Sequence, residues 1–286
     1  MLQVINIKKF NLVIYMKNII ILILLPLLCF GQKKYSKNKH VIINTKVKNN
    51  SYNINYVFKN QWNEIQELRF NLNKEKSDFD IRKFGIPDNM FERYIENKEV
   101  IEKRNAILRE GLYKRDGNTL VVDYSSLVNY FRNTFLPISE YLIEYLKSTR
   151  RDNRRNRIEI AMKFVQDIPY GLPYEKRVQS KYGGYKYDDG IFAPNEVLIK
   201  GYGDCDSKTF LFACIVSHMI NPDEIIFIRG DNHILSAIKS TKISEGKYFK
   251  YDGGNYYICE TAGPGRPMFG ERKKKIGKAI IYPLTL

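Results

Sequence analysis

The chain has 286 residues, of which 47 are Lys or Arg and 31 are Asp or Glu, so its formal net charge is +16. Hydrophobic residues make up 44% of it and aromatic residues 13%, which is enough to bury a core and excludes a disordered low-complexity chain. The length fits one folded domain with or without an appended segment. Four cysteines in so long a chain exclude a small disulfide-stapled scaffold.

Residues 1–31 have the pattern of a secretory signal peptide. Lys17 precedes an apolar run from Ile19 to Phe30, and polar sequence begins after Gly31. This run is shorter than the roughly 20 residues that span a bilayer. We therefore predict cleavage after Gly31 and export to the periplasm, cell envelope or medium, with no transmembrane span in the mature chain. A retained N-terminal anchor is the alternative.

The excess positive charge is concentrated in two runs, at 150–157 and 272–278. Neither run alternates with the aromatic and glycine positions of a surface on which nucleic-acid bases stack. An overall bias in composition explains the charge better, so we expect no specific nucleic-acid partner.

Residues 32–157 are predicted to form an N-terminal extension made of a hairpin and helices. Apolar and polar residues alternate from Val41 to Phe58 around a turn at 48–51. The segment 60–95 is ambiguous, although four of its apolar residues suggest a helical face: Trp62, Ile65, Leu68 and Phe70. The remaining predictions for this extension are helices over 100–113 and 124–146, the second interrupted at Pro137, a strand over 119–122 and an exposed charged connection over 150–157.

Residues 158–286 are predicted to form a second segment. A helix over 158–168 ends at Pro169 and leads into a loop over 170–190, whose Tyr and Gly content and length suggest a binding wall. A buried helix then starts near Cys205. Predicted strands follow at 224–229, 234–239 and 255–261.

Cys205 is the first candidate for chemistry. It follows the glycine turn Gly201-Tyr202-Gly203-Asp204 and precedes an apolar run, so it falls on the first turn of the predicted helix. Free backbone N–H groups and the helix dipole at such a position stabilise a thiolate. Lys208, one turn further on, would add to this stabilisation if it faces the same side.

An imidazole and a carboxylate complete a Cys-His-acid set. His233 stands at the entrance of one predicted strand and Glu260 at the end of another. His218 points about 220° away from Cys205 around the helix, and His40 lies in a Lys-rich stretch. A strand-edge histidine with an ordinary hydrogen bond is the alternative for His233.

The other two cysteines of the mature chain are predicted to be structural. Cys214 lies about 13 Å along the helix from Cys205, too far for a disulfide. Cys259 falls on the strand face opposite Glu260. We interpret both as core residues, and a Cys214–Cys259 bridge remains open.

Four segments together resemble the transglutaminase-like superfamily, in particular the bacterial transglutaminase-like cysteine peptidases. They are Ile168-Pro169-Tyr170 after a helix, Pro194 to Leu198 with Gly201 to Asp206, Asn232-His233-Ile234, and Cys259-Glu260-Thr261. The resemblance covers 158–270. It implies an α+β, papain-like or transglutaminase-core fold over 158–286, with the nucleophile helix packed on an antiparallel sheet.

The resemblance also implies site residues. Cys205 would be the nucleophile, His233 the base and Glu260 the orienting acid. Asp206 stands where papain-type enzymes and animal transglutaminases have Trp, and Trp62 is remote, so Gln166 becomes the candidate oxyanion donor beside the Cys205 N–H. The region 32–157 matches no motif; it would restrict the substrate or enlarge the fold.

These observations favour an exported cysteine peptidase or amidase that acts on a protein or peptide, such as one of the cell envelope, and uses no cofactor and no metal. Acyl transfer to an amine, as in a transglutaminase proper, is one alternative. A catalytically silent module that binds a cell-wall or protein ligand is another. A metal site formed by Cys205, His233, Asp204 and Glu260 is a third, although paired-cysteine spacing is missing.

Overall fold

Helices and strands both contribute to the fold seen in the computed structural model, which describes residues 36–87, 90, 98–117, 119–173, 178–187, 191–230, 233–241, 246–272 and 276–286. The composition, 38% helix and 30% strand, is that of an α+β protein, as predicted. The predicted signal peptide, parts of the 170–190 loop and Asn232 lie outside the described residues. Among the described helices, none combines the length and hydropathy needed to cross a bilayer.

The N-terminal sheet has three antiparallel strands, β1 (Ile42–Lys48), β2 (Ser51–Lys59) and β3 (Ile65–Asn73). The predicted hairpin is confirmed, and Asn49 and Asn50 form its turn in the left-handed region. The helical face suggested for 62–70 is wrong. Alternate residues of β3 are buried, as a period of two requires of a strand with one covered face.

The rest of the N-terminal region is mainly helical. Its elements are α1 (Lys74–Lys83), β4 (Ile86–Pro87), α2 (Lys98–Arg109), β5 (Tyr113–Asp116), β6 (Thr119–Val122), α3 (Tyr124–Arg132) and α4 (Leu136–Ser148). The long helical stretch is interrupted, but before Pro137 and not at it: a 3-10 turn, Asn133–Phe135, separates α3 from α4. Pro137 then lies in the first turn of α4, where a missing N–H costs nothing.

The exposed connection predicted over 150–157 is wrong for its second half. Helix α5 (Arg154–Asp167) already begins there, capped by Asn153, whose side chain accepts a hydrogen bond from the Asn156 N–H. The arginines of its first turn are held by acids, and the pairs are Arg154 with Glu224, Arg155 with Glu159 and Arg157 with Asp152. The first turn of this helix is therefore held by ion pairs. Its last ten residues are buried.

The C-terminal part carries the helix that contains Cys205. Its elements are β7 (Lys186–Tyr187), α6 (Pro194–Lys200), α7 (Cys205–Val216), a 3-10 turn (Pro222–Glu224), β8 (Ile225–Gly230), β9 (His233–Lys239), β10 (Tyr248–Tyr251), β11 (Gly254–Cys259) and β12 (Ile280–Pro283). Five of these strands form one antiparallel sheet in the order β10-β11-β9-β8-β12. As expected, α7 packs on this sheet, through β9, and its other sides contact α3, α5 and α6.

The N-terminal sheet and the C-terminal part share a core within one compact unit, Ser36–Leu286. The Tyr56 hydroxyl donates a 2.7 Å hydrogen bond to the Phe164 carbonyl, and the rings of Tyr56, Phe58 and Phe164 pack together. All three side chains are fully buried. The sheet formed by β1 to β3 therefore supports the helix that ends beside the candidate site.

Candidate active site

Cys205 is the first residue of α7, as predicted, and Asp204 caps the helix. The Asp204 carboxylate accepts hydrogen bonds from the Ser207 N–H at 3.0 Å and from the Ser207 hydroxyl at 2.5 Å. The Ser207 oxygen in turn accepts the Phe192 N–H at 2.8 Å. Burial raises the pKa of Asp204 to about 6 in spite of the bonds from Ser207. The start of α7 is thus fixed by a buried cap.

The glycine turn before Cys205 leaves no room for larger residues. Gly201 ends α6 with φ +70°, and a Cβ on Gly203 would lie 3.3 Å from Val197 and from Ser207. The backbone of Gly203 is bonded on both sides, to the Pro169 carbonyl and to the Gly171 N–H, each at 3.2 Å. The chain segment that follows α5 therefore holds the turn that presents Cys205.

The thiol of Cys205 is held by a neighbouring carboxylate. Sγ donates to Asp206 Oδ1 at 3.0 Å, and the same oxygen accepts the Ile234 N–H at 3.2 Å. Burial, together with the charge and the hydrogen bond of Asp206, raises the pKa of the Cys205 thiol above its usual value. Both effects oppose the stabilised thiolate that the position at the helix start predicts. Sequence reasoning missed Asp206 as a site residue; its signal was a carboxylate adjacent to the nucleophile.

His233 lies beside the thiol and Glu260. As the first residue of β9, it has a ring nitrogen within 4.8 Å of both Cys205 Sγ and an Asp206 carboxylate oxygen. Its Nε2 lies 3.4 Å from Glu260 Oε2, without the geometry of a hydrogen bond. The structure therefore brings the three predicted residues Cys205, His233 and Glu260 to one place.

Glu260 lies between His233 and Arg272. Arg272 Nη1 donates to Glu260 Oε2 at 2.7 Å, and Oε1 accepts the Ala262 N–H at 3.3 Å. Burial by itself would raise the pKa of Glu260, but His233 and Arg272 hold it below its ordinary value. Sequence reasoning missed Arg272, because the basic run at 272–278 was explained as composition.

The prediction that Gln166 is an oxyanion donor is not supported by its hydrogen bonds. Its side chain is fully buried, and Nε2 donates to the Glu260 carbonyl at 2.7 Å and to the Pro267 carbonyl at 2.9 Å. An amide nitrogen has two hydrogens, so none remains for a substrate. Gln166 instead ties α5 to the chain that carries Glu260.

Lys208 also has a different place from the one expected. It is fully buried, and Nζ contacts the carbonyl oxygens of Gln166, Ile168 and Ala262 at 3.3, 2.6 and 2.6 Å. Burial lowers its pKa to about 7. Its amino group joins the end of α5 to the loop after Glu260.

The remaining histidines and cysteines lie elsewhere. His218 Nε2 is 3.0 Å from the Arg132 carbonyl and His40 Nε2 is 2.6 Å from Asp167 Oδ2, so neither joins the group around Cys205. Cys214 and Cys259 are fully buried, which confirms their interpretation as core residues. Both are free thiols, so the bridge left open between them is absent.

Comparison with protein-family models, with curated proteins and with solved structures found no match to this chain.

Proposed function

We propose that this chain is a cysteine acyl-transfer enzyme with a transglutaminase-like, papain-like core, which hydrolyses peptide or amide bonds. The observation that carries the proposal is the grouping around the start of α7. A thiol there has an imidazole nitrogen within 4.8 Å, and the same imidazole has a carboxylate 3.4 Å from its Nε2. Nucleophile, base and orienting acid need this order of contacts.

The reaction follows from these contacts. His233 takes the proton of the Cys205 thiol as sulfur forms a bond to the carbonyl carbon of the substrate. The tetrahedral intermediate collapses when the C–N bond breaks, and the amine leaves with the proton from His233. Water then attacks the thioester and gives one proton to His233; the S–C bond breaks, the carboxylic acid is released, and the proton on His233 returns to the Cys205 sulfur. Glu260 keeps the ring oriented and stabilises its cationic form.

The first residue of a helix has a backbone N–H without a partner in the helix, so the Cys205 N–H is one donor for the oxyanion. Water is proposed as the acceptor because the bacterial families that the sequence resembles are mostly hydrolases. Transfer to an amine, the transglutaminase reaction, uses the same acyl-enzyme. The signal-peptide pattern supports action outside the cytoplasm, on a protein or peptide such as one of the cell envelope.

The test compares Cys205→Ala with the unmodified protein on a library of internally quenched peptides, with and without a fluorescent primary amine. We expect cleavage that Cys205→Ala abolishes, and labelling of Cys205 by iodoacetamide well before Cys214 or Cys259. Cys214→Ala is the matched control and should keep its activity. Cleavage that survives Cys205→Ala contradicts the proposal, and incorporation of the amine in place of cleavage would make the enzyme a transferase.

Two other functions each have one observation in their favour. The raised pKa of the Cys205 thiol favours a silent binding module, because such a thiol reacts slowly. The grouping of Cys205, Asp206 and His233 offers sulfur, oxygen and nitrogen ligand atoms within 4.8 Å, as a zinc site would. The metal-site alternative had included Asp204, but the Asp204 carboxylate accepts two hydrogen bonds from Ser207, and Asp206 is the acid of the grouping. Zinc retained by the purified protein and lost in Cys205→Ser would favour the metal.

A further inference from the structure

A groove of about 920 Å³ opens beside the candidate site. Asp206 and His233 line one end of it. All four residues of β6 contribute to its lining, and so do three residues at the start of β12 and just before it, Lys278, Ala279 and Ile280. Sites that hold drug-sized ligands have volumes of about 300–1,000 Å³, so a peptide of a few residues fits here.

The charges of the groove are not balanced. Arg229 and Lys278 both line it and both are exposed. Within the described parts of the chain, neither has a carboxylate at salt-bridge distance, whereas Arg272 at the candidate site pairs with Glu260. Asp206 is the acid of the described lining, and its Oδ1 is occupied by the thiol and the Ile234 N–H. The groove therefore favours an anionic ligand.

The remaining surface suits an extended chain. Most of its other side chains are apolar, among them Ile86, Leu120, Val122 and Ile280. In the described structure β6 pairs only with β5, and β12 is the last strand of its sheet. Edge strands and apolar side chains that face a groove are features of sites that bind peptides in extended form.

We propose that this groove binds the substrate and selects peptides with an Asp or Glu side chain near the bond that is attacked, with the carboxylate held by Arg229 and Lys278. Arg229 lies close enough to the Tyr124 hydroxyl to act on its pKa, so Tyr124 and Arg229 share the same part of the groove lining. This inference rests on the proposed function, since it takes Cys205 and His233 as the reacting groups. It also gives β6, from the region 32–157, a part in substrate choice.

The first experiment needs no known substrate. Iodoacetate and iodoacetamide alkylate the same sulfur and differ by one negative charge. We expect Arg229→Gln with Lys278→Gln to lower the rate of Cys205 alkylation by iodoacetate about fivefold to tenfold, and to leave the rate with iodoacetamide unchanged. Lys250→Gln, on the far edge of the same sheet, is the control and should change neither rate. A ratio of the two rates that is the same in all variants overturns the inference.

The second experiment uses pairs of amidated peptides that differ by Glu or Gln near the cleavage site. We expect kcat/KM to be at least about tenfold higher for the Glu peptides, and the double variant to remove this preference. Equal cleavage of both overturns the inference and leaves the proposed function intact. Failure of iodoacetamide to label Cys205 ahead of Cys214 and Cys259 instead counts against the proposed function.

Discussion

The charge state of Cys205 is set by opposing influences at the start of α7. The helix N-terminus favours a thiolate by about 0.3–1 kcal/mol when exposed. Burial favours the neutral thiol, and the Asp206 carboxylate at 3.0 Å both repels a thiolate and accepts the thiol proton. Burial and Asp206 therefore both oppose the effect of the helix. In the proposed mechanism, proton removal by His233 must therefore accompany attack.

Replacing Asp206 tests this balance directly. Asp206→Asn keeps an oxygen for the Ile234 N–H and removes the charge beside the sulfur. We expect the pKa of Cys205 to fall and alkylation by iodoacetamide at pH 8 to speed up about tenfold, the factor for one pKa unit. The measurement is the alkylation rate between pH 6 and pH 10. Asp223→Asn, at an exposed acid remote from the groove, should leave the rate curve unchanged; a curve for Asp206→Asn that matches it would contradict the assignment.

At the scale of elements, the end of α5 and the loop after Glu260 are held at close range. Lys208 Nζ and Gln166 Nε2 donate to backbone carbonyls of these two segments. Gly263 fits between them with φ +68°, and a Cβ there would lie 2.2 Å from the Gln166 carbonyl oxygen and 2.9 Å from Lys208 Nζ. The position of Glu260 thus depends on a glycine three residues further on.

Two alanine substitutions separate crowding from backbone strain. Gly253 has almost the same φ, +67°, with nothing within 4 Å of its Cβ position. We expect Gly253→Ala to cost about 1 kcal/mol of unfolding free energy and Gly263→Ala about 2–4 kcal/mol, because overpacking adds to the strain. Urea denaturation measures both. Equal costs for the two variants would show that the close approach at Gly263 is not rigid.

Several elements follow from local sequence signals, and others do not. A glycine turn before an apolar run indicates a helix start, which is why the start of α7 near Cys205 was predictable; the structure adds that Asp204 caps it. Strand β3 was not predictable, because Trp62, Ile65 and Leu68 have a spacing that also fits one face of a helix. In the structure alternate residues of β3 are buried, as in a strand. Lys208 was placed by its spacing from Cys205, but three carbonyls of distant segments determine where its ammonium lies.

At the scale of the whole molecule, a buried carboxylate joins segments that are far apart in sequence. Asp167, at the end of α5, contacts His40 Nε2 at 2.6 Å and the Lys59 N–H at 2.9 Å, and it also pairs with Arg266. Asn38 Nδ2 donates to its other oxygen at 2.9 Å. Burial alone would raise the pKa of Asp167, but Arg266, Lys59 and His40 hold it below its ordinary value.

The sign of this pKa shift predicts a pH dependence. Because the folded-state pKa lies below the unfolded value, Asp167 stabilises the fold at neutral pH, and this contribution is lost as the pH falls through the folded pKa. We expect Asp167→Asn to lower the free energy of unfolding at pH 7 by about 3 kcal/mol, typical of a broken buried pair. The difference from the wild type should shrink below pH 4. Urea denaturation at pH 3, 5 and 7 measures it.

Asp116→Asn, at an exposed acid, should not change the stability at any of these pH values. A cost for Asp167→Asn that stays constant down to pH 3 would show that the packing of this residue matters and its charge does not.

Contacts across the whole chain set the limit of what the sequence could predict about the site. A local motif predicted that Cys205 lies at a helix start, and the predicted strand ends gave the positions of His233 and Glu260. Neither the Asp167 network nor the groove against β6 has a local signal. Both depend on residues about 100 positions apart or more. Arg272 belongs to the same class, because a basic run does not indicate which acid it will meet.

The hydrogen bond from the Cys205 thiol to Asp206 also affects how fast the sulfur is oxidised. Peroxides convert thiolates to sulfenic acid much faster than they convert thiols, and further oxidation is irreversible. A partly exposed cysteine at a helix start would ordinarily be vulnerable. Here the Asp206 carboxylate favours the neutral thiol. Asp206 should therefore slow the oxidation of Cys205 as well as its reaction with substrate.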